Sequence, residues 1–230
     1  MRYDSMKDKV MVALDVNNQT EAFAIRDTLG DSVGWLKVGL RLFVAEGPSL
    51  ISSLTQTHKV FLDLKFHDIP NTVAQAIESA GALGVQMVNV HAGGGKPMLE
   101  AASQAAKAFP DMLLIAVTVL TSDTMPKEQA LKVALERAKL AKDAGLDGVV
   151  CSVFEAAQIK ETCGADFITV TPGIRWGNQD AQDQQRVADP KMAIEQGSDY
   201  LVIGRPILQA DSPKAAAEEA TKMMEVATSV

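Results

Sequence analysis

An eightfold alternation of short apolar runs with amphipathic segments restricts this chain more than any other feature of its sequence. The runs cover residues 10–15, 34–39, 59–62, 86–91, 112–118, 148–151, 167–171 and 200–203. They are rich in Val, Ile, Leu and Met, bounded by turn residues, and read as buried strands. Segments with helical character follow at 21–29, 42–54, 73–83, 98–108, 126–145, 155–161, 191–195 and 213–227. Strands that are apolar along most of their length, each followed by a helix, form a parallel sheet covered by helices. No composition break, low-complexity segment or linker interrupts the series. Eight units in 230 residues therefore predict an α/β fold, a (β/α)8 TIM barrel forming a single domain over residues 1–230. An open doubly wound sheet would carry a glycine-rich turn after its first strand. Asp15-Val16-Asn17-Asn18 is not such a turn.

Barrels of this kind place their chemistry at the C-terminal ends of the strands. Here those ends carry Asp15, Lys37, Asp63 with Lys65, His91, Thr121, Thr171 and Arg205. The densest stretch is Asp63-Leu64-Lys65-Phe66-His67-Asp68-Ile69-Pro70-Asn71-Thr72. Side chains alternate across a strand, so Asp63 and Lys65 point one way and Leu62 and Leu64 the other. Asp68 falls beyond the strand, just before Pro70 opens a helix at its first turn. By the same alternation Lys37 shares a face with Trp35 and Gly39, which aims it where Asp63 and Lys65 project. An unpaired buried charge costs several kcal/mol. An array of Lys37, Asp63, Lys65 and Asp68 is thus either an internally compensated ion-pair network or a site built to meet a charged ligand.

Two further segments point to an anion. Gly204 follows the eighth strand and lets a ligand approach the backbone, while N–H groups at the next helical turn suit a phosphate. Arg205 adds a planar, permanently charged fork. Residues 171–186 show neither helical nor strand periodicity; with Arg175 and Gln184 this loop reads as a lid over an anion or as a solvated connection. His91, followed by Gly93-Gly94-Gly95, is either a hydrogen-bonded core residue or a ligand contact. It has no sequence neighbour that would complete a zinc set.

Charge and cysteine content narrow the function class. A net charge of −7 argues against a nucleic-acid binder, which presents a basic face to phosphates. Cys151 and Cys163 form no metal-spaced pair, and two thiols in a chain of this size suit a reducing compartment. No apolar stretch approaches the ~20 residues of a membrane span, and residues 1–9 carry no hydrophobic signal region behind them. The expectation is a cytoplasmic protein with a small-molecule substrate, without nucleic-acid or membrane partners.

The decamer beginning at Asp63 resembles the signature of the orotidine 5′-monophosphate decarboxylase family. Leu14-Asp15, Lys37-Val38-Gly39, Thr118-Val119-Leu120-Thr121, Thr171-Pro172-Gly173-Ile174-Arg175 and Val202-Ile203-Gly204-Arg205-Pro206 extend the resemblance along the chain. The resemblance implies a barrel that works as a homodimer on orotidine 5′-monophosphate, without metal or organic cofactor. It implies a charged tetrad of Lys37, Asp63, Lys65 and Asp68, with Lys65 as proton donor. Asp68, Ile69 and Thr72 would reach the neighbouring subunit's site. Asp15 and Lys37 would hold ribose hydroxyls, and Thr121 the pyrimidine. Arg175, Gln184, Gly204 and Arg205 would take the 5′-phosphate. A Mg²⁺-dependent sugar-phosphate decarboxylase or aldolase on the same barrel is the competing reading, and it requires a further acid beside the site. A catalytically inert phosphate-ligand binder is a third.

Overall fold

Eight parallel strands close on themselves in sequence order, β1 pairing with both β2 and β8. The computed structural model describes residues 5–120, 124–177 and 188–228. In chain order the elements are β1 (Val10–Ala13), α1 (Gln19–Leu29), β2 (Trp35–Gly39), α2 (Leu40–Glu46), α3 (Pro48–Leu54), β3 (Lys59–Phe66) and α4 (Pro70–Ala82). There follow β4 (Met87–His91), α5 (Gly95–Ala106), β5 (Leu113–Val117), α6 (Lys127–Asp143), β6 (Gly148–Val150), α7 (Val153–Cys163) and β7 (Ile168–Thr171). The series ends with α8 (Pro190–Glu195), β8 (Tyr200–Ile203), α9 (Arg205–Leu208) and α10 (Pro213–Thr228). The (β/α)8 barrel expected from the sequence is the fold observed. No described helix is long and apolar enough to cross a membrane.

Local chemistry sets the helix boundaries. Asn18 accepts the Glu21 N–H at 3.0 Å, Asp189 accepts that of Met192 at 2.8 Å, and Glu155 reaches back to the Ser152 N–H at 3.0 Å. These contacts satisfy donors that a helix start leaves open. Pro48, Pro70 and Pro190 occupy first-turn positions, where the missing N–H costs nothing. The helix expected over 42–54 is in fact two. Gly47, at φ 71°, ends α2 in a conformation that side chains avoid, and Pro48 opens α3 at its first turn.

Period-two alternation divides the core into two layers. Met11, Ala13, Trp35, Phe61, Met87, Ile115, Val170 and Val202 fill the barrel interior. Their strand neighbours, among them Val10, Val12, Leu36, Val38, Val60, Leu62, Val88 and Val90, pack outward against the helices. Each fully buried side chain of this size contributes about 1.5 to 3 kcal/mol. On α6 the buried positions are all alanine, Ala130, Ala134, Ala138 and Ala141, which lets that helix lie close to the sheet.

The N-terminal rim is tied by a repeated device. Gln86, Asp147 and Asp199 each stand one residue before β4, β6 and β8. Their side chains accept the N–H of the second residue of the preceding strand: Val60 at 2.8 Å, Leu114 at 2.7 Å and Thr169 at 2.8 Å. These N–H groups lie where the ladder begins, so each side chain stands in for a missing backbone partner. Asp199 also receives the Thr169 hydroxyl at 3.1 Å and Lys160 Nζ at 2.5 Å. Replacing it strands a backbone donor and a partly buried ammonium together. Asp199→Ala is expected to lower unfolding free energy by about 2 to 4 kcal/mol, measured by urea denaturation, with the opposite rim of the barrel unaffected.

Candidate active site

The inward faces of the strands turn from apolar to charged at the C-terminal rim. After Ala13 in β1, Trp35 in β2 and Phe61 in β3, the next inward positions belong to Asp15, Lys37 and Asp63. Asp63 Oδ2 lies 3.3 Å from Lys37 Nζ, and its Oδ1 lies 2.6 Å from Lys65 Nζ. Lys37 Nζ is also 3.5 Å from Asp15 Oδ1. The side chains of Lys37 and Asp63 are only 10% and 14% exposed, whereas that of Lys65 is 33% exposed and Asp15 is open to solvent. Lys65 is thus the more exposed of the two ammoniums that flank the shared carboxylate. Burial pushes the Asp63 carboxyl upward, but Lys37, Lys65 and hydrogen bonds from Lys65 and Asn89 outweigh it and hold the group below the usual carboxylate range.

This geometry depends on an irregularity in β3. Leu62 pairs with Val88 and Phe66 with Val90, so Asp63, Leu64 and Lys65 together face the single residue Asn89 of β4. Lys65 takes φ 54°, the one non-glycine residue with positive φ among the described residues. Bulges of this kind re-aim side chains and cluster beside active sites. Asn89 is fully buried; its Oδ1 accepts the Lys65 N–H at 2.8 Å and its Nδ2 donates to Asp63 Oδ1 at 2.7 Å. Asn89 belongs to no motif. Its one sequence signal is a polar residue at an inward position of Met87-Val88-Asn89-Val90-His91, where alternation would otherwise continue the apolar interior.

A cavity of about 510 Å³ opens above these groups, in the range of small-molecule sites. Asp15, Lys37, Asp63 and Lys65 line it. So do Arg175, Gly204 and Arg205, with Val117, Val119, Leu120, Val150 and Ile174 supplying apolar wall. Arg175 is buried beside the cavity, brought there by the turn after β7. Gly204 stands where an added Cβ would come within 3.4 Å of Asp15 Oδ2 and 3.6 Å of Ala13 Cβ. A side chain there would narrow the approach from the cavity to the backbone at the start of α9. Four cationic side chains, Lys37, Lys65, Arg175 and Arg205, line this cavity beside two acids, Asp15 and Asp63, in a chain of net charge −7. A cavity lined in this way suits an anionic ligand.

Not every expected residue joins this cluster. Asp68 lies beyond β3, exposed, with its carboxylate turned back on the Ile69 N–H at 2.6 Å. Ile69 is 66% exposed and Thr72 also faces outward, so neither lines the cavity of its own chain. Thr171, a strand-end residue, is buried against Ser198 and the Tyr200 carbonyl instead of facing the mouth, because its position in β7 has the outward parity. His91 stacks on His67 with ring centroids 5.1 Å apart and accepts the Gly93 N–H at 3.0 Å. Thr121 and Gln184 lie outside the described residues.

The chain resembles known proteins over nearly its whole length. The family model for the Orotidine 5'-phosphate decarboxylase / HUMPS family matches residues 8–220. A protein of Pseudoalteromonas translucida named orotidine 5'-phosphate decarboxylase is 50% identical over 231 aligned residues, covering 94% of this chain and 97% of the relative. One of the same name from Legionella pneumophila (strain Paris) is 52% identical over 223 residues, covering 90% and 95%. Among solved structures, orotidine 5'-phosphate decarboxylase from Lactobacillus acidophilus superposes with a TM-score of 0.83 at 41% identity, covering 94% of this chain and 99% of that one.

The left-handed backbone at Lys65 has a measurable cost. An L-residue there loses about 1 kcal/mol relative to glycine. Lys65→Gly is therefore expected to unfold at higher urea concentration than Lys65→Ala, by about 1 kcal/mol. Equal midpoints would remove the strain from the account.

Proposed function

This chain belongs to the Orotidine 5'-phosphate decarboxylase / HUMPS family, and we propose that it is a carboxy-lyase converting orotidine 5′-monophosphate to uridine 5′-monophosphate, the last step of de novo pyrimidine nucleotide synthesis. The observation that carries this reading is an ammonium, Lys65, one-third exposed and 2.6 Å from a largely buried carboxylate, in a cavity that two arginines also line. The substrate has matching ends: a 5′-phosphate and, across the ribose, a pyrimidine carrying a carboxylate on C6.

In the proposed reaction Arg175, Gly204 and Arg205, with Gln184, take the phosphate, and Asp15 and Lys37 hold the ribose hydroxyls. Ile69 and Thr72 of a neighbouring copy complete the wall, and Thr121 contacts the base. The C6–carboxylate bond breaks heterolytically. CO₂ leaves, and the electron pair stays on C6, where no adjacent π system receives it. The Lys65 ammonium stabilises that charge through space and then transfers its proton to C6, leaving an amine that solvent reprotonates. Asp63 has two effects. It anchors the Lys65 ammonium at 2.6 Å, and its negative charge beside the substrate carboxylate is relieved as neutral CO₂ forms. Binding energy from the remote phosphate orders the site around the transition state.

The donors around Asp63 are two ammoniums and an amide, which repel a divalent cation where a metal-dependent sugar-phosphate enzyme would seat one. Among the described residues no three of His, Cys, Asp and Glu are grouped to hold a metal. The purified protein is accordingly expected to decarboxylate orotidine 5′-monophosphate in excess EDTA, followed by ultraviolet absorbance. Lys65→Ala should lose about 10⁴-fold or more in turnover with its fold intact. Activity abolished by the chelator would transfer the chain to the metal-dependent reading.

We further propose that the working form is a homodimer with shared sites. Asp68 and Ile69 support it, being exposed at the rim beside a cluster they do not join, with Leu40 and Val44 of α2 also exposed. In that arrangement Asp68 completes the tetrad of the partner. Mixing inactive Lys65→Ala and Asp68→Ala subunits should restore up to about a quarter of wild-type activity, since random pairing makes half the dimers mixed with one intact site each. No recovery in confirmed mixed dimers would show that each chain supplies its own site.

A further inference from the structure

Asn89 lies under the cavity floor, fully buried, in the interior layer that Met87 and Ile115 otherwise make apolar. A buried amide in such a layer is costly unless its donors and acceptor are used. Both ends are engaged, and both partners belong to the β3 segment that carries the acid and the ammonium. The Oδ1 accepts the Lys65 N–H at 2.8 Å, and the Nδ2 donates to Asp63 Oδ1 at 2.7 Å. Only one orientation of the amide is possible. Rotated by half a turn, it would set its NH₂ against an N–H and its oxygen against a carboxylate.

The two contacts control two separate freedoms. Lys65 adopts φ 54° where β3 runs three residues past one residue of β4, and the bulge leaves its N–H without a ladder acceptor. Asn89 Oδ1 takes that role and stabilises a backbone turn that lysine would otherwise avoid. The Asp63 carboxylate rotates about a broad, roughly two-fold torsion. The Nδ2 donor and Lys65 Nζ meet the same oxygen, Oδ1, while Lys37 takes Oδ2. Three donors from three strands leave the carboxylate a single orientation. One planar amide therefore ties the backbone origin of the Lys65 side chain to the anion that anchors its tip.

We propose that Asn89 is a positioning residue for the decarboxylation described above: by clamping the Lys65 backbone and the Asp63 carboxylate together, it places the Lys65 ammonium against C6 of the substrate. The inference rests on the proposed reaction. Asn89 does not line the cavity; it acts through Asp63 and Lys65.

Two variants of the full-length protein separate positioning from bulk packing. Asn89→Ala removes both contacts. Asn89→Asp keeps the shape and the acceptor for the Lys65 N–H, but sets a second carboxylate oxygen where the donor to Asp63 was. The charged groups facing Asp63 are Lys37 and Lys65, with Asp15 beyond Lys37; a new carboxylate at position 89 shares those cations and raises the pH at which one of the pair protonates. Turnover of orotidine 5′-monophosphate is measured against substrate concentration and pH, and uridine 5′-monophosphate binding by calorimetry. Asn89→Ala is expected to lose about 100-fold in kcat, with KM and product affinity within about threefold of wild type. Asn89→Asp is expected to move the acid limb of kcat upward by about one pH unit or more. A kcat for Asn89→Ala within about threefold of wild type, or an unmoved acid limb in Asn89→Asp, overturns the inference. Should Asn89→Ala fail to fold, the acid limb of Asn89→Asp decides alone. A wild-type protein inactive on this substrate sinks the proposed function itself, whereas an active wild type with indifferent variants sinks only the role of Asn89.

Discussion

The charged rim of this barrel depends on one buried carboxylate. Asp63 is held by Lys65 at 2.6 Å, Asn89 at 2.7 Å and Lys37 at 3.3 Å. Burying a charge costs several kcal/mol, and a single ion pair at 3.3 Å returns about 5 kcal/mol at an effective dielectric constant of about 20. One partner would roughly balance the desolvation. Two ammoniums and an amide exceed it, which is why the carboxyl stays below its usual range despite its burial. The surplus attraction runs in the other direction as well. Lys37 and Lys65, both cationic and both directed at one cavity, repel each other, and Asp63 between them is what allows them to coexist.

Asp15 and Asp63 lie beside Lys37 and Lys65 in that cavity, and Arg175 and Arg205 line it as well. Under the proposed reading the arginines take a dianionic group and Lys65 meets the other end of the ligand. In the proposed reaction this ordering separates binding from chemistry. The phosphate supplies attraction at a distance from the reacting carbon, and the floor offers one ammonium at the position where charge develops.

Much of this was legible in the amino-acid sequence, for identifiable physical reasons. Strands buried on both faces must be apolar along their length, so the eight runs stand out and their number sets the closed barrel. Period-two alternation aims Lys37, Asp63 and Lys65 at one space, and the distances among them bear that out. The same rule, applied to Thr171, shows it on the outward face, where it bonds Ser198; its place at a strand end says nothing about its side. The split at Gly47 was masked because residues 42–54 are helical on both sides of the break. Asn89 was hidden differently. Its significance depends on which residues of β3 lie opposite it, and a register shift between strands more than twenty residues apart leaves no local trace. Asp68 carries its charge in plain view, but among the described residues its carboxylate accepts the Ile69 N–H and stays outside the cavity lining.

The two rims of the barrel use the same residue type to opposite ends. Asp147 and Asp199 stand at the N-terminal rim and accept backbone N–H groups, so they extend the ladders and add stability. Asp63 stands at the C-terminal rim, where the β3–β4 ladder is interrupted and Lys65 carries a strained backbone. A strain of about 1 to 2 kcal/mol is small beside the core that eight closed strands bury, and closure means that no edge can open to relieve it. The fold can therefore hold a lysine in a conformation it would not choose. The proposed chemistry and the strain coincide at this rim because a regular strand would have paired every backbone group with its neighbour, leaving Asn89 no gap to fill and Lys65 no reason to turn.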